Sequence, residues 1–152
     1  MQARMTHPVY VLPETLEPLQ GVSHVALDIL PAPTREIVHL RASQINGCSV
    51  CIDLAACSLE ESGVGLARSL AVAAWRDSPL FSDAERAALA LTEAVTRIAD
   101  QSNPVPDEVW DDAARHYDEK ELSALLISIA MVNVWNRLNV ATRQVAGQTV
   151  AS

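Results

Sequence analysis

Apolar residues recur along most of this chain at steps of three and four, the spacing that puts them on one face of a helix. A first helix is predicted from about Pro13 to Ile29, with Leu16, Leu19, Val22 and Ala26 in register, and Pro31-Ala32-Pro33 ends it. Thr34 is the expected N-cap of a second helix, Arg35 to Ile45, which Asn46-Gly47 closes because both residues tolerate the left-handed conformation of a C-terminal stop. A third helix carries Cys48, Cys51, Leu54, Ala55 and Leu59 and stops near Gly63, and a fourth runs from Gly65 to about Trp75. Ser82-Asp83-Ala84-Glu85 has the form of a capping box, so a fifth helix starts there and continues through Leu89, Leu91, Val95 and Ile98 until Asn103-Pro104-Val105-Pro106 breaks it. A short helix from Asp107 to about His116 follows. The acidic Asp118-Glu119-Lys120-Glu121 then opens a long helix to about Val145, apolar around much of its circumference. Such a helix is either central to its own core or shared with a second subunit.

Composition sharpens this to an all-α, single-domain helical bundle over residues 1–152. Of the 152 residues 49% are apolar, yet only one is Phe, and Ala and Leu outnumber β-branched and aromatic types. No internal repeat or linker marks a second domain. A formal net charge of −8 without a basic cluster argues against a nucleic-acid partner. The N-terminus has no apolar stretch of signal-peptide length, and no segment offers roughly 18 uncharged apolar residues, so a soluble, cytoplasmic protein with no membrane partner is expected.

The chemistry concentrates in Gln44-Ile45-Asn46-Gly47-Cys48-Ser49-Val50-Cys51, a Cys-x-x-Cys pair between an Asn-Gly turn and the start of a helix. Unpaired backbone N–H groups and the positive end of the helix dipole favour the thiolate there, which is the nucleophilic form. The odd count of three cysteines does not suit a disulfide framework. Zinc would need a second ligand pair, and Cys57, His7, His24, His39 and His116 are scattered without ligand spacing, so neither metal nor cofactor is expected. Cys48, Cys51 and Ala55 share one narrow face of their helix. If the second and third helices form a hairpin, Glu36 lies about 15 Å and Ala55 about 12 Å from the bend at 1.5 Å per residue, which brings Glu36 to the level of Ala55. His39 is one turn beyond Glu36 on the same face. Plainer readings stand beside these: two small buried hydrophobes for the cysteines, and a solvated first-turn acid for Glu36. Cys57 reads as structural, His7, His24 and His116 as surface or cap residues, and Trp75, Phe81, Trp110 and Trp135 as packing anchors. Asn136 and Asn139 either serve a buried polar contact at a subunit interface or are simply exposed.

Glu36 followed by Cys48 and Cys51, within Leu-Arg-Ala-Ser-Gln-Ile-Asn-Gly-Cys, resembles the core of the alkyl hydroperoxidase D-like, carboxymuconolactone decarboxylase family. The resemblance extends through Ala74-Trp75-Arg76-Asp77-Ser78-Pro79-Leu80-Phe81-Ser82 and Asn133-Val134-Trp135-Asn136-Arg137-Leu138-Asn139, covering about Pro13 to Val140. It implies an all-helical fold, a homo-oligomer (trimer or hexamer), a hydroperoxide substrate and an external dithiol as electron donor. On this resemblance Cys51 is the thiolate that attacks the peroxide, Cys48 the partner that closes the disulfide, and Glu36 the proton acceptor. The family's relay histidine falls at Ala55, so the sequence departs from the pattern at a catalytic position. A desolvated Glu36 without an imidazolium beside it drifts toward the neutral acid, and His39 is the candidate substitute in the relay. The expected function is a thiol-dependent peroxidase or disulfide reductase, slowed by Ala55. The alternatives are a non-enzymatic redox-responsive or structural oligomer on the same scaffold, and carboxymuconolactone decarboxylase-like chemistry.

Overall fold

Gly47 closes the central helix of the protein, and its backbone explains why. It sits at φ +67°, left-handed, which lets the Gly47 and Cys48 N–H groups turn back to the Gln44 and Ser43 carbonyls at 3.3 and 3.0 Å. The computed structural model describes residues 1–147, and among them there are eight α-helices and no strand. They are α1 (Pro8–Val11), α2 (Leu16–Val25), α3 (Ala32–Asn46), α4 (Ser49–Glu61), α5 (Gly65–Ala71), α6 (Asp83–Thr96), α7 (Asp107–His116) and α8 (Glu119–Thr142). Short 3-10 turns over Pro13–Thr15 and Val72–Asp77 join them.

The differences from the sequence expectation have local causes. α2 ends at Val25 instead of Ile29, and the chain turns through residues 26–30, where the Arg35 guanidinium takes the Leu27 and Leu30 carbonyls at 2.7 and 2.8 Å. α3 begins at Ala32 with Pro31 as its N-cap, because a proline in the first turn gives up an N–H that has no partner there. Thr34 is therefore not the cap but a buried residue within the first turn. α1 was not anticipated; the His7 ring Nδ1 accepts from the Val9 N–H at 3.3 Å and caps it. The fourth predicted helix is α5 plus a 3-10 segment with a non-helical residue at Ala74. α6 stops at Thr96, two residues short of Ile98, and α8 at Thr142 with Arg143 in the left-handed region, three short of Val145. Both acidic starts form full capping boxes, Ser82 with Glu85 and Asp118 with Glu121.

α3 packs against α4, α6 and α8, and it contributes to both apolar clusters. One joins Val38 to Ala88, Leu91, Leu125 and Ile129; the other joins Ile37 and Leu40 to Ala55, Leu59, Trp75, Phe81 and Leu89. Trp75 and Phe81 are thus core residues, whereas Trp110, expected as an anchor, is 41% exposed. α8 meets the length and mean hydropathy of a membrane-crossing helix, 1.3 over an 18-residue window. Its packing on α2, α3 and α6 and its buried Asn133 and Asn136 give it the role of a core helix.

Candidate active site: a disulfide at a helix N-terminus

The Asn46-Gly47 turn is fixed from α8. The Asn46 side-chain N–H₂ donates to Asn133 Oδ1 at 2.9 Å and to Asn136 Oδ1 at 2.8 Å, and Asn136 Nδ2 donates to Ser43 Oγ at 3.1 Å. Asn136 is fully buried, so this polar group is satisfied within one chain, which answers its open sequence reading. Cys48 then leaves the turn in extended conformation and becomes the N-cap of α4. Its Sγ accepts from the Cys51 N–H at 3.3 Å, the placement that favours a thiolate once the sulfur is reduced.

Cys48 and Cys51 are joined as a disulfide, with Cα atoms 5.3 Å apart. Both are buried, at 1% and 3% exposure, yet Cys48 lines an open cleft of about 740 Å³ together with Gly47, Ser49, Val50, Asn139 and Arg143. The cleft wall is completed by Met1 and Gln2 and by Gln144 to Ala146. Asn139, in the last turn but one of α8, donates from Nδ2 to Cys51 Sγ at 3.5 Å. That contact fits neither sequence reading of Asn139, and the three-residue spacing of Asn133, Asn136 and Asn139 on one helix was its only signal.

The other predicted site residues lie elsewhere. Glu36 and His39 come together as their spacing predicts, but in a separate cavity of about 200 Å³ shared with Arg35, Ser128 and Trp135 and with neither cysteine on its wall. Burial pushes the Glu36 carboxyl above its ordinary value, the Arg35 charge opposes the shift and the Glu61 charge adds to it. Glu61 is the last residue of α4, so Glu36 senses the end of that helix remote from the disulfide. Burial also lowers the His39 pKa, which keeps the imidazole neutral. Ala55, at 1% exposure, packs among Ile37, Leu40 and Leu59, so the expected histidine position is apolar. Cys57 is exposed with a free thiol instead of being a buried structural residue. Among the described residues no three His, Cys, Asp or Glu side chains gather to hold a metal.

A buried ionic hub escaped the sequence reading altogether. Glu93 on α6 accepts from Arg41 Nε at 2.8 Å, Trp75 Nε1 at 2.9 Å, Arg76 Nη1 at 2.8 Å and Arg97 Nη1 at 3.1 Å. Burial alone would push this carboxyl up, but the hydrogen bonds from Trp75, Arg76 and Arg41 and the Arg41 charge outweigh it and hold the pKa at about 2. The hub ties α3, α6 and the 3-10 segment together.

Fold and site together define an all-helical protein with a Cys-x-x-Cys disulfide at a helix N-terminus. The chain belongs to the carboxymuconolactone decarboxylase family, whose pattern matches residues 13–94. It is 38% identical over 108 residues to the uncharacterized protein YdfG of Bacillus subtilis, covering 71% of this chain and 72% of that one. It is 37% identical over 108 residues to the uncharacterized protein YnjA of Escherichia coli, covering 70% and 57%. A crystal structure from Agrobacterium tumefaciens, ATU0492, of unknown function and described as a candidate antioxidant defence protein AhpD, superposes with a TM-score of 0.89 at 26% identity, over 97% of this chain and all of that one. The debrominase Bmp8 shares the fold, with a TM-score of 0.76 at 21% identity over 91% and 74% of the two chains.

Proposed function

We propose that this protein is a thiol-dependent peroxidase or disulfide reductase, recharged by an external dithiol and serving antioxidant defence. The observation that carries the reading is the Cys48–Cys51 disulfide closed at the N-terminus of α4 beside an open cleft. In the reduced protein the Cys51 thiolate attacks a peroxide oxygen, the O–O bond breaks, and the leaving oxygen takes a proton to depart as alcohol or water. The Cys51 sulfenic acid so formed is attacked by the Cys48 thiolate, which expels hydroxide and closes the disulfide. An external dithiol then reduces it. Glu36 and His39 are the proton-handling candidates. Their cavity is separate from the cleft, with Trp135 on its wall, and Ala55 offers no imidazole between them and the sulfurs. Slow turnover is therefore part of the proposal, since a positioned acid or base is typically worth about 10²–10⁴ in rate.

Hydroperoxide consumption with a dithiol reductant tests the reading: it should be measurable in the wild type and abolished in Cys51→Ser. Equal turnover in the two proteins overturns it. A second reading, a redox-responsive oligomer without catalysis, is favoured by the apolar surroundings of Ala55. Near-background turnover that Ala55→His raises about a hundredfold, within the range of a restored proton donor, decides for it. Assembly as a soluble homo-oligomer belongs to the proposal as well. Leu54, Leu66 and Leu70 are 62%, 76% and 69% exposed on α4 and α5, and sedimentation of the protein shows whether a second subunit covers them.

A further inference from the structure

We infer that Asn139 is a catalytic residue of the disulfide step, the hydrogen-bond donor that receives the leaving Cys51 thiolate when an external dithiol opens the Cys48–Cys51 bond. The inference rests on the peroxidase and reductase reading above and adds to it the direction in which the disulfide opens.

The two sulfurs occupy unlike surroundings. Cys48 lines the cleft and Cys51 is not among the described residues on that wall, so a dithiol held in the cleft stands on the Cys48 side of the disulfide, both residues being almost fully buried at 1% and 3% exposure. Cys51 Sγ lies 3.5 Å from Asn139 Nδ2. A disulfide sulfur only accepts hydrogen bonds, so the amide must present its N–H₂ to it. The bond is weak to a neutral disulfide and strengthens as negative charge collects on the sulfur, which is the condition for accelerating the step instead of merely stabilising the resting state. The donor is held in place from the turn before: Asn136, three residues earlier on α8, is anchored by Asn46 and Ser43, and Thr142, three residues later, bonds back to the Leu138 carbonyl at 2.6 Å. The charged groups nearby are arranged differently. Arg143 and the Met1 segment stand on the cleft wall beside Cys48, Asp53 on α4 is engaged by the Gly147 N–H at 3.0 Å, and Glu36 on α3 faces the other cavity. Asn139 is the side chain that donates to Cys51.

The step balances as two exchanges. The first thiolate of the dithiol forms a bond to Cys48 Sγ while the Cys48–Cys51 bond breaks, and the electron pair stays on Cys51 Sγ, facing Asn139 Nδ2. The second thiol of the reductant, losing its proton, then attacks the reductant's own sulfur in the mixed disulfide and releases the Cys48 thiolate, whose Sγ accepts from the Cys51 N–H. The dithiol ends as a cyclic disulfide, the protein pair ends reduced, and Cys51 is left as the thiolate that the peroxide step requires.

The test titrates one thiol at a time by its thiolate absorbance. In a Cys48→Ser, Cys57→Ser background, Asn139→Ala is expected to raise the Cys51 midpoint by roughly one to two pH units, the value of a hydrogen bond to a charged group. The near-isosteric Asn139→Asp, which replaces the donor with a carboxylate, raises it further. In a Cys51→Ser, Cys57→Ser background Asn139→Ala leaves the Cys48 midpoint in place, whereas the Asn139→Asp carboxylate, on the cleft wall that Cys48 also lines, raises it by less than it raises that of Cys51. A Cys51 midpoint unmoved in both variants, or equal shifts of both thiols, overturns the inference. Should the substitutions unfold the chain, the Cys57→Ser protein decides: brief exposure of its disulfide to 2-mercaptoethanol followed by alkylation should leave the mixed disulfide on Cys48 and the alkyl group on Cys51, and the reverse pattern overturns the inference. Peroxide turnover that is lost in Cys51→Ser while the Asn139 titrations stay flat removes this inference alone. Turnover unchanged in Cys51→Ser removes the underlying reading, whatever the titrations give.

Discussion

Replacing Glu93 with Gln keeps the shape of the hub and removes its charge. The carboxyl moves from an ordinary 4.5 to about 2 in the folded protein, a displacement worth about 3 kcal/mol at 1.36 kcal/mol per pKa unit. Because the folded pKa is depressed, this stability is present in full above the unfolded value near 4.5 and is lost as pH falls toward 2. The partners do not share it equally. The Arg41 side chain is 14% exposed and sits 2.7 Å from Glu93 Oε1, whereas Arg76 and Arg97 are 58% and 47% exposed and their pairs are weakened by solvent. In Glu93→Gln the largely buried Arg41 guanidinium loses its counter-charge, and the new amide N–H₂ faces donors on at least one side. The expected loss is about 3 kcal/mol at pH 7, or about 6–12 °C in melting temperature for a chain of this size. Thermal unfolding followed by circular dichroism at one protein concentration, at pH 7 and again near pH 2.5, checks it. The gap between variant and wild type should narrow by more than half at the lower pH. An equal gap at both values would refute the reasoning, since it would mean that shape rather than charge makes the hub stabilising. Arg41→Met should cost more than Arg97→Met for the same reason.

Further expectations concern the hairpin and its second cavity. Gly47→Ala places a Cβ at φ +67° in open space, so its cost is conformational alone, about 1–2 kcal/mol in urea unfolding; a neutral substitution would contradict the left-handed cap. Glu36→Gln should stabilise the protein at neutral pH, because a carboxyl whose folded pKa is raised is most favourable below its unfolded value and loses that advantage as pH rises; a melting temperature lowered at pH 7 would argue against the desolvated site. His39, whose folded pKa is lowered, contributes stability above its unfolded value of 6.5 that is lost as pH falls below it, and NMR of the imidazole should find it more than half neutral at pH 6.5.

How much of this could be read from the chain depends on how local each cause is. The capping box at Ser82, the acidic start at Asp118 and the Gly47 stop each need only a few neighbouring residues, and all three stand where the sequence puts them, while Cys48, expected within its helix, is the cap just before it. The end of α2 was misread because the Arg35 side chain that takes its turn's carbonyls comes from the next helix. The Glu93 hub draws its donors from 52, 18, 17 and 4 residues away, so no window of sequence contains it. At the site, the one-turn spacing of Glu36 and His39 agrees with the cavity they share, while the hairpin spacing set Glu36 level with Ala55. It did not fix the rotation of α3 about its axis, which turns Ile37 and Leu40 toward Ala55 and Glu36 toward a cavity of its own. The Asn139 contact joins residues 88 apart and waited on the approach of α8.

The two chain ends have a practical bearing on every assay suggested above. The Arg4 N–H bonds the Thr142 carbonyl at 2.8 Å and the Gln144 amide reaches the Met5 carbonyl at 3.0 Å, which holds Arg4 and Met5 against the end of α8, and Met1 stands on the wall of the cleft that Cys48 lines. A purification tag fused ahead of Met1 therefore begins at the cleft that Cys48 lines, where a run of histidines can bind metal or crowd an incoming thiol. Kinetics on tagged and tag-free protein should be compared before any rate is assigned to the cysteines.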